Sequence, residues 1–130
     1  MQLKDAARIH ALLRLAYADD RLVPDYSIWL QRWQHDPEYD PALCFVLRDD
    51  AGLIGFVQGW TSAYIKDLVI HPRARRQGHG LALLEQVFKA FTLRHEGWID
   101  LKVLEDNLPA RRLYEKAGMI YLQRMKAGPL

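Results

Sequence analysis

The stretch Leu68-Val69-Ile70-His71-Pro72-Arg73-Ala74-Arg75-Arg76-Gln77-Gly78-His79-Gly80-Leu81 decides the fold. Its first three residues form an apolar run that stops at His71-Pro72. A basic, glycine-containing loop follows, and a long amphipathic segment starts at Leu81. The order is strand, glycine loop, helix. At a helix start the first backbone N–H groups lack intrahelical partners, and the helix dipole adds partial positive charge. Two glycines separated by one residue let such N–H groups turn toward a common point, a nest that attracts phosphate. Arg73, Arg75 and Arg76 strengthen the field, since a guanidinium grips phosphate through two parallel hydrogen bonds. The stretch has no Gly-Lys-Ser/Thr, so it is not a Walker loop. A dinucleotide fingerprint would need a third glycine where Leu83 stands. The loop alone leaves two readings open, a phosphate nest and a plain tight turn with solvated arginines.

On the N-terminal side, Leu3 to Ala18 carries Ala6, Ile9, Leu13, Ala16 and Tyr17 at helical spacing, with Asp5 placed to cap it. A second short helix is expected after Pro24, within Val23 to Gln34. His35 to Pro41, with two prolines and three acids, is a loop. Leu43 to Leu47 and Leu53 to Trp60 flank the turn signal Asp49-Asp50-Ala51-Gly52 and predict a hairpin. Gly55 and Gly59 in its second arm suggest a bulge or a close backbone approach. Ala63 to Ile70 is a third antiparallel strand. On the C-terminal side, Leu81 to Glu96 is a helix with Leu81, Leu84, Val87, Phe88 and Phe91 on one face, stopped by Gly97. Trp98 to Leu104 reads as a strand parallel to Ala63–Ile70, reached by a right-handed crossover. Asn107 caps a short helix with Pro109 in its first turn and Gly118 beyond its end. Met119 to Met125 is a last strand. The fold class is therefore α+β with a mixed sheet.

Length and composition bound the function. With 130 residues the chain suffices for one domain, residues 1–130, and is too short for two. Half the residues are apolar, enough for a real core. A net charge of +2 argues against general nucleic-acid binding, and the cluster of Arg73, Arg75 and Arg76 is local to one loop. A single cysteine, Cys44, excludes an internal disulfide and reads as a small buried residue. No apolar run approaches the roughly 20 residues needed to span a membrane. No signal-peptide pattern opens the chain, so a cytoplasmic domain is expected.

Arg75-Arg76-Gln77-Gly78-His79-Gly80 matches the Arg/Gln-x-x-Gly-x-Gly/Ala signature of the GNAT superfamily of acyl-CoA-dependent N-acetyltransferases, and the Val69-Ile70-His71-Pro72 lead-in matches as well. A second block of that family stands downstream: Asn107-Leu108-Pro109-Ala110, Leu113-Tyr114-Glu115-Lys116, then Gly118-Met119. The chain resembles this superfamily over residues 43–119. The resemblance implies the GNAT fold, a mostly antiparallel mixed sheet with helices on both faces and two central parallel strands splayed apart. It implies acetyl-CoA as co-substrate and no metal. The pantetheine arm would pair with the strand at Leu68, Val69 and Ile70. The pyrophosphate would reach the loop of Arg75, Arg76, Gln77, Gly78, His79, Gly80 and Leu81, with Asn107 and Tyr114 touching the cofactor arm. The usual strand before the first helix has only Met1-Gln2-Leu3 to form it, and the residues after Gly118 leave room for one strand where two are common. An unpaired sheet edge invites pairing, so a homodimer through that edge and a smaller monomeric sheet both stand as expectations.

Acetyl transfer from a thioester to an amine needs a route for the amine proton and a donor to the carbonyl oxygen. It also needs a proton for the leaving thiolate, and the two substrates held together. A strand N–H near Val69 or Ile70 could serve the carbonyl. The resemblance assigns the thiolate's proton to Tyr114, whose other reading is packing beside Ala110. The base is open among Asp67, one pleat from Val69 on the same face, the Glu105-Asp106 pair, and a water chain. His71 and His79 read as structural or phosphate contacts. For the acceptor, Tyr26, Trp29, Trp33 and Trp60 fall in segments that wall the acceptor cleft in this fold, with Asp19, Asp20 and Asp25 nearby. Aromatic faces and carboxylates suit a cationic amine. Three functions follow: an N-acetyltransferase for a small amine or amino-acid-like compound, a protein N-terminal or lysine acetyltransferase, and a non-catalytic acyl-CoA-binding module.

Overall fold

Apolar residues dominate the runs 44–47, 53–60 and 63–70, and in the computed structural model, which describes residues 3–17, 23–103 and 107–119, these runs form three consecutive strands. These are β1 (Cys44–Asp49), β2 (Gly52–Trp60) and β3 (Tyr64–Ile70), antiparallel in the order β1-β2-β3. The hairpin turn is closed by Asp49, whose Oδ1 accepts the Ala51 N–H at 2.9 Å. Helices α1 (Ala6–Ala16) and α2 (Tyr26–Gln34) cover one face, and α3 (His79–Leu93) covers the other. Helix α4 (Leu108–Lys116) follows, against α3.

The core is correspondingly split. Ile9, Leu12 and Leu13 of α1 and Trp29 and Trp33 of α2 bury against Phe56 and Val69. On the other face Leu83, Leu84, Val87 and Phe91 of α3 bury against Val57 and Ile65. A side chain of this size contributes about 1.5–3 kcal/mol when fully buried, and Phe56 and Phe91 are both at 0% exposure.

The sheet is not regular where it matters. Gln58 pairs with Asp67, yet the next residue, Gly59, pairs with Ile65, so Lys66 is an extra residue on β3. A bulge of this kind breaks the two-residue alternation. Ile65 faces α3, whereas Lys66 and Asp67, though consecutive, both face the α1–α2 layer. The outer edge of β3 is affected too. Ile65 donates its N–H to Asp100 at 2.8 Å and Asp100 donates to Ala63 at 2.9 Å, forming one parallel bridge, Tyr64↔Asp100. Beyond it, Leu101, Lys102 and Val103 make no ladder with β3. The expected strand from Trp98 to Leu104 is thus reduced, among the described residues, to that bridge; Leu104 lies outside them. The direction is parallel as expected, and the strands part where the bulge turns β3. The expected strand at Met119–Met125 lies outside the described residues apart from Met119.

Two helix boundaries differ from expectation. The first helix starts later, after a 3-10 turn at Leu3–Asp5, and its expected last residue, Ala18, lies outside the described residues. Asp5 does not cap it: its φ of −84° and ψ of −8° are helical and its carboxylate makes no cap bond. It is buried at 1% exposure and paired with Arg48 of β1. A carboxylate in that position requires a cation more than the helix requires a cap.

Helix α3 ends at Leu93, before the stop expected at Gly97. His95 takes the left-handed conformation, φ 61°, while Glu96 N–H bonds Phe91 O at 3.2 Å and His95 N–H bonds Thr92 O at 3.0 Å. This is the Schellman closure, with histidine where glycine is preferred. His95→Gly is expected to raise stability by roughly 0.5–1 kcal/mol, the relief of left-handed strain less the entropy glycine adds to the unfolded chain. The urea midpoint at constant slope measures it.

Candidate active site

Two backbone features converge at the C-terminal end of β3. The first is the orientation of its peptide groups. His71 N–H bonds Ile54 O at 2.8 Å, which places Val69 and Asp67 in the hydrogen-bonded pairs with β2. Antiparallel alternation then turns the N–H and C=O of Leu68 and Ile70 away from β2, toward the side where the parallel neighbour departs. Arg75 confirms the direction for Ile70, because its Nε donates to Ile70 O at 3.3 Å. Val69, for which a free N–H was expected, has its backbone groups committed to β2.

The second feature is the loop. A 3-10 turn at Pro72–Ala74 is capped by His71, whose Nδ1 accepts the Arg73 N–H at 3.1 Å. That acceptor role makes the nitrogen unprotonated and gives His71 a structural function. Arg73 bonds Asp49 through both terminal nitrogens, at 2.5 and 2.9 Å, which ties the loop to the β1–β2 turn and holds the Asp49 carboxyl down at about 2. Arg76 and Gly78 both take left-handed conformations, φ 62° and 82°. Gly78 is the residue before α3, and no side chain caps that helix. The first amides of α3, from Gly78 to Leu81, therefore face out of the helix end beside Arg75 and Arg76. Gly80 serves a different purpose: a Cβ there would lie 3.0 Å from Leu113 Cδ2, so this glycine lets α4 approach α3.

Asn107 does cap α4, its Oδ1 accepting the Ala110 N–H at 3.3 Å. Tyr114, one face of α4 further on, is half-buried against the Leu84–Val87 cluster. Its carbonyl closes the helix end by accepting the Met119 N–H at 3.0 Å. The ring thus packs against the core cluster while remaining partly accessible.

On the opposite face, Asp67 is 3% exposed. Tyr17, the residue closing α1, donates its hydroxyl to Asp67 Oδ1 at 2.9 Å, and Lys66 Nζ lies 4.0 Å from Oδ2. Gln58, its cross-strand partner, is buried with an Nε2 that finds no acceptor among the described residues. Asp67 and Val69 share this face, as the pleat predicts.

A cleft of about 370 Å³ opens over the same face between α1, α2 and β3. Leu13, Pro24, Trp29 and Trp33 form its apolar wall, and Arg32, Asp36 and Lys66 its polar one. His10 sets the wall: its Nε2 donates to Pro24 O at 2.7 Å, and its ring meets Trp29 at 5.3 Å and Tyr26 at 5.4 Å. Of the expected aromatic acceptor residues, Trp29 lines the cleft and Tyr26 stacks behind it at 6.2 Å. Trp60 does not line it; its ring lies under Lys66, 5.7 Å from Nζ. Asp25 is absent from the lining, and Asp19 and Asp20 lie outside the described residues. Arg32, Asp36 and Lys66 were not singled out from sequence, and only the bulge, which has no sequence signature beyond Gly59, turns Lys66 inward.

Cys44 is buried, and desolvation pushes its thiol up to about 12, so it is no nucleophile at neutral pH. Among the described residues no cluster of His, Cys, Asp and Glu could hold a metal, and no helix is long and apolar enough to cross a membrane.

The sequence profile of the acetyltransferase (GNAT) family matches residues 6–119. A mycothiol acetyltransferase of Thermomonospora curvata is 34% identical over 113 residues, which is 79% of this chain and 36% of that protein. The chain thus spans about a third of that relative's length. A GCN5-related N-acetyltransferase from Sphaerobacter thermophilus superposes with a TM-score of 0.79 at 27% identity, over 92% of this chain and 39% of its own. The ribosomal-protein-S18-alanine N-acetyltransferase of Escherichia coli shares the fold, with a TM-score of 0.73 at 21% identity over 91% and 73% of the two chains.

Proposed function

The chain belongs to the acetyltransferase (GNAT) family, and we propose that it moves an acetyl group from acetyl-CoA to the primary amine of a small or amino-acid-like acceptor, by direct attack in a ternary complex. The observation that carries this reading is the end of β3: the peptide groups of Leu68 and Ile70 turn away from β2, the N–H groups of both having no partner among the described residues, and lead into a helix start with no side-chain cap beside Arg75 and Arg76. An extended amide-bearing arm suits the first, and a pyrophosphate suits the second.

In this reading the arm lies along Leu68–Ile70, and the thioester oxygen takes an N–H from one of those two residues as it gains charge. The amine nitrogen attacks the carbonyl carbon from the α1–α2 side. The C–N bond forms, the C–S bond breaks, and the amine loses a proton to Asp67 directly or through water. Tyr17 holds the Asp67 carboxylate in place for that role. The departing thiolate takes a proton from Tyr114. Positioning of the two substrates supplies much of the rate.

Gly78→Glu tests the phosphate site. A Cβ at Gly78 meets nothing within 4 Å, so the substitution is sterically open and its cost is confined to the positive φ. It places a carboxylate at the mouth of the helix start. Calorimetric titration with acetyl-CoA is expected to show affinity at least about tenfold weaker, a loss of ~1.4 kcal/mol, with the fold retained by circular dichroism. Unchanged affinity would remove the loop from the cofactor site. Release of the CoA thiol in the presence of an amine panel tests the transfer itself.

A further inference from the structure

We infer that the acceptor carries a carboxylate as well as its amine, and that Arg32 and Lys66 hold that carboxylate in the α1–α2 cleft. The inference rests on the reading of this protein as an acetyltransferase and names the chemistry of its second substrate.

The cleft is short of acceptors. Arg32 reaches it from the last turn of α2 and has no ion-pair partner among the described residues. Lys66 reaches it from the bulge, with a side chain 27% exposed and an Nζ 4.0 Å from Asp67 Oδ2 and 5.7 Å from the centre of the Trp60 ring. Against these two cations stands one lining carboxylate, Asp36, and its Oδ1 is already taken by the Glu38 N–H at 2.9 Å. Two cations beside an apolar wall attract an anion more strongly than they would in open water.

The walls select further. Trp29 and Trp33 stack at 4.9 Å and present aromatic surface beside Arg32. The volume falls within the roughly 300–1,000 Å³ of small-ligand sites. A polycationic amine would meet Arg32 and Lys66 as like charges. An amino acid or short peptide acid offers the needed pair of ends, with its carboxylate between Arg32 and Lys66 and its amine toward β3. Lys66 beside that amine also favours the neutral form that attacks.

The test uses binding, so that it reads the cleft whether or not transfer is observed. The CoA-saturated protein is titrated with the N-acetyl-L-amino acids and with their primary amides, following tryptophan fluorescence from Trp29 and Trp33. At least one acid is expected to bind ten times or more tightly than its amide, with the preference weakening as salt rises. Arg32→Gln, at an exposed position that leaves the core intact, is expected to bring acid and amide within twofold of each other; Lys66→Gln reports the second cation independently. If no acid binds more tightly than its amide, or if the preference survives in both variants, the inference is wrong. Thiol release with neutral or amidated amines but not with acids would overturn it while leaving acetyl transfer standing. Failure of every amine to release thiol, with the acid preference present, would overturn the transferase reading and leave the carboxylate site.

Discussion

Tyr114→Phe is expected to lower kcat by about 10²–10⁴, the usual cost of losing a general acid, while acetyl-CoA affinity changes little. The tyrosine ring is half-buried against the α3 core cluster, and its backbone carbonyl is engaged by Met119. Phenylalanine preserves both, so fold and ring packing survive and only the hydroxyl is lost. An ordinary phenol has a pKa of about 10 and remains protonated at neutral pH, able to donate. The proton matters as sulfur gains charge in the transition state and not before, which places the cost on kcat instead of KM. Single-turnover rates on the CoA-saturated enzyme separate this step from product release. Turnover within about twofold of the parent, with chemistry limiting, would make Tyr114 a packing residue whose thiolate leaves with water's help.

Gly59→Ala should be the most destabilising single-methyl addition in the sheet. A Cβ at Gly59 would sit 2.6 Å from Phe91 Cζ and 3.1 Å from both Phe91 Cε2 and Val87 Cγ2. Phe91 is wholly buried and cannot swing away without displacing α3. Overpacking of this kind costs about 1–3 kcal/mol, and the upper end is expected because the ring is pinned between β2 and the helix. For a domain of this size that corresponds to a fall in Tm of roughly 6–12 °C. Because Gly59 pairs with Ile65 beside the extra residue Lys66, the same substitution should also perturb the bulge that turns Lys66 inward. The double variant Gly59→Ala, Phe91→Leu, which vacates the colliding edge of the ring, is expected to recover part of the loss. A purely additive pair would show that α3 and β2 are not locked at this contact.

Much of this was legible in the chain itself because the relevant signals are local. Hydrophobic period, turn residues and glycine placement identify the hairpin, the third strand, the long helix and the short one capped by Asn107. The glycine loop is equally local: Gly78 stands before α3 because only a residue tolerant of positive φ starts that helix so abruptly. The two family blocks then tied these elements to one superfamily, since they encode backbone geometry at a glycine-led helix start and a helix cap. Asp5 and His95 show where local rules yield. Burial of Asp5 beside Arg48 outweighed its capping role, and the backbone closure at the end of α3 puts His95 in the left-handed conformation that glycine favours.

What the chain alone determined is therefore the order of its elements, its family, and the strand–loop–helix at residues 68–81, all of which follow from residues near one another in sequence. The tertiary structure alone decided which peptide groups of β3 turn away from β2, that Gly80 serves the α3–α4 contact, and that Lys66 and Asp67 face the same helical layer. The reason is physical: strand register and a bulge are set by pairing across the sheet, between Gln58 or Gly59 and residues up to nine positions away, and a shift of one residue reverses the face of every side chain beyond it. The charge of the α1–α2 cleft follows from that shift, together with Arg32 and Asp36 brought in from α2 and the residues just after it, and no pattern within either segment announces their meeting.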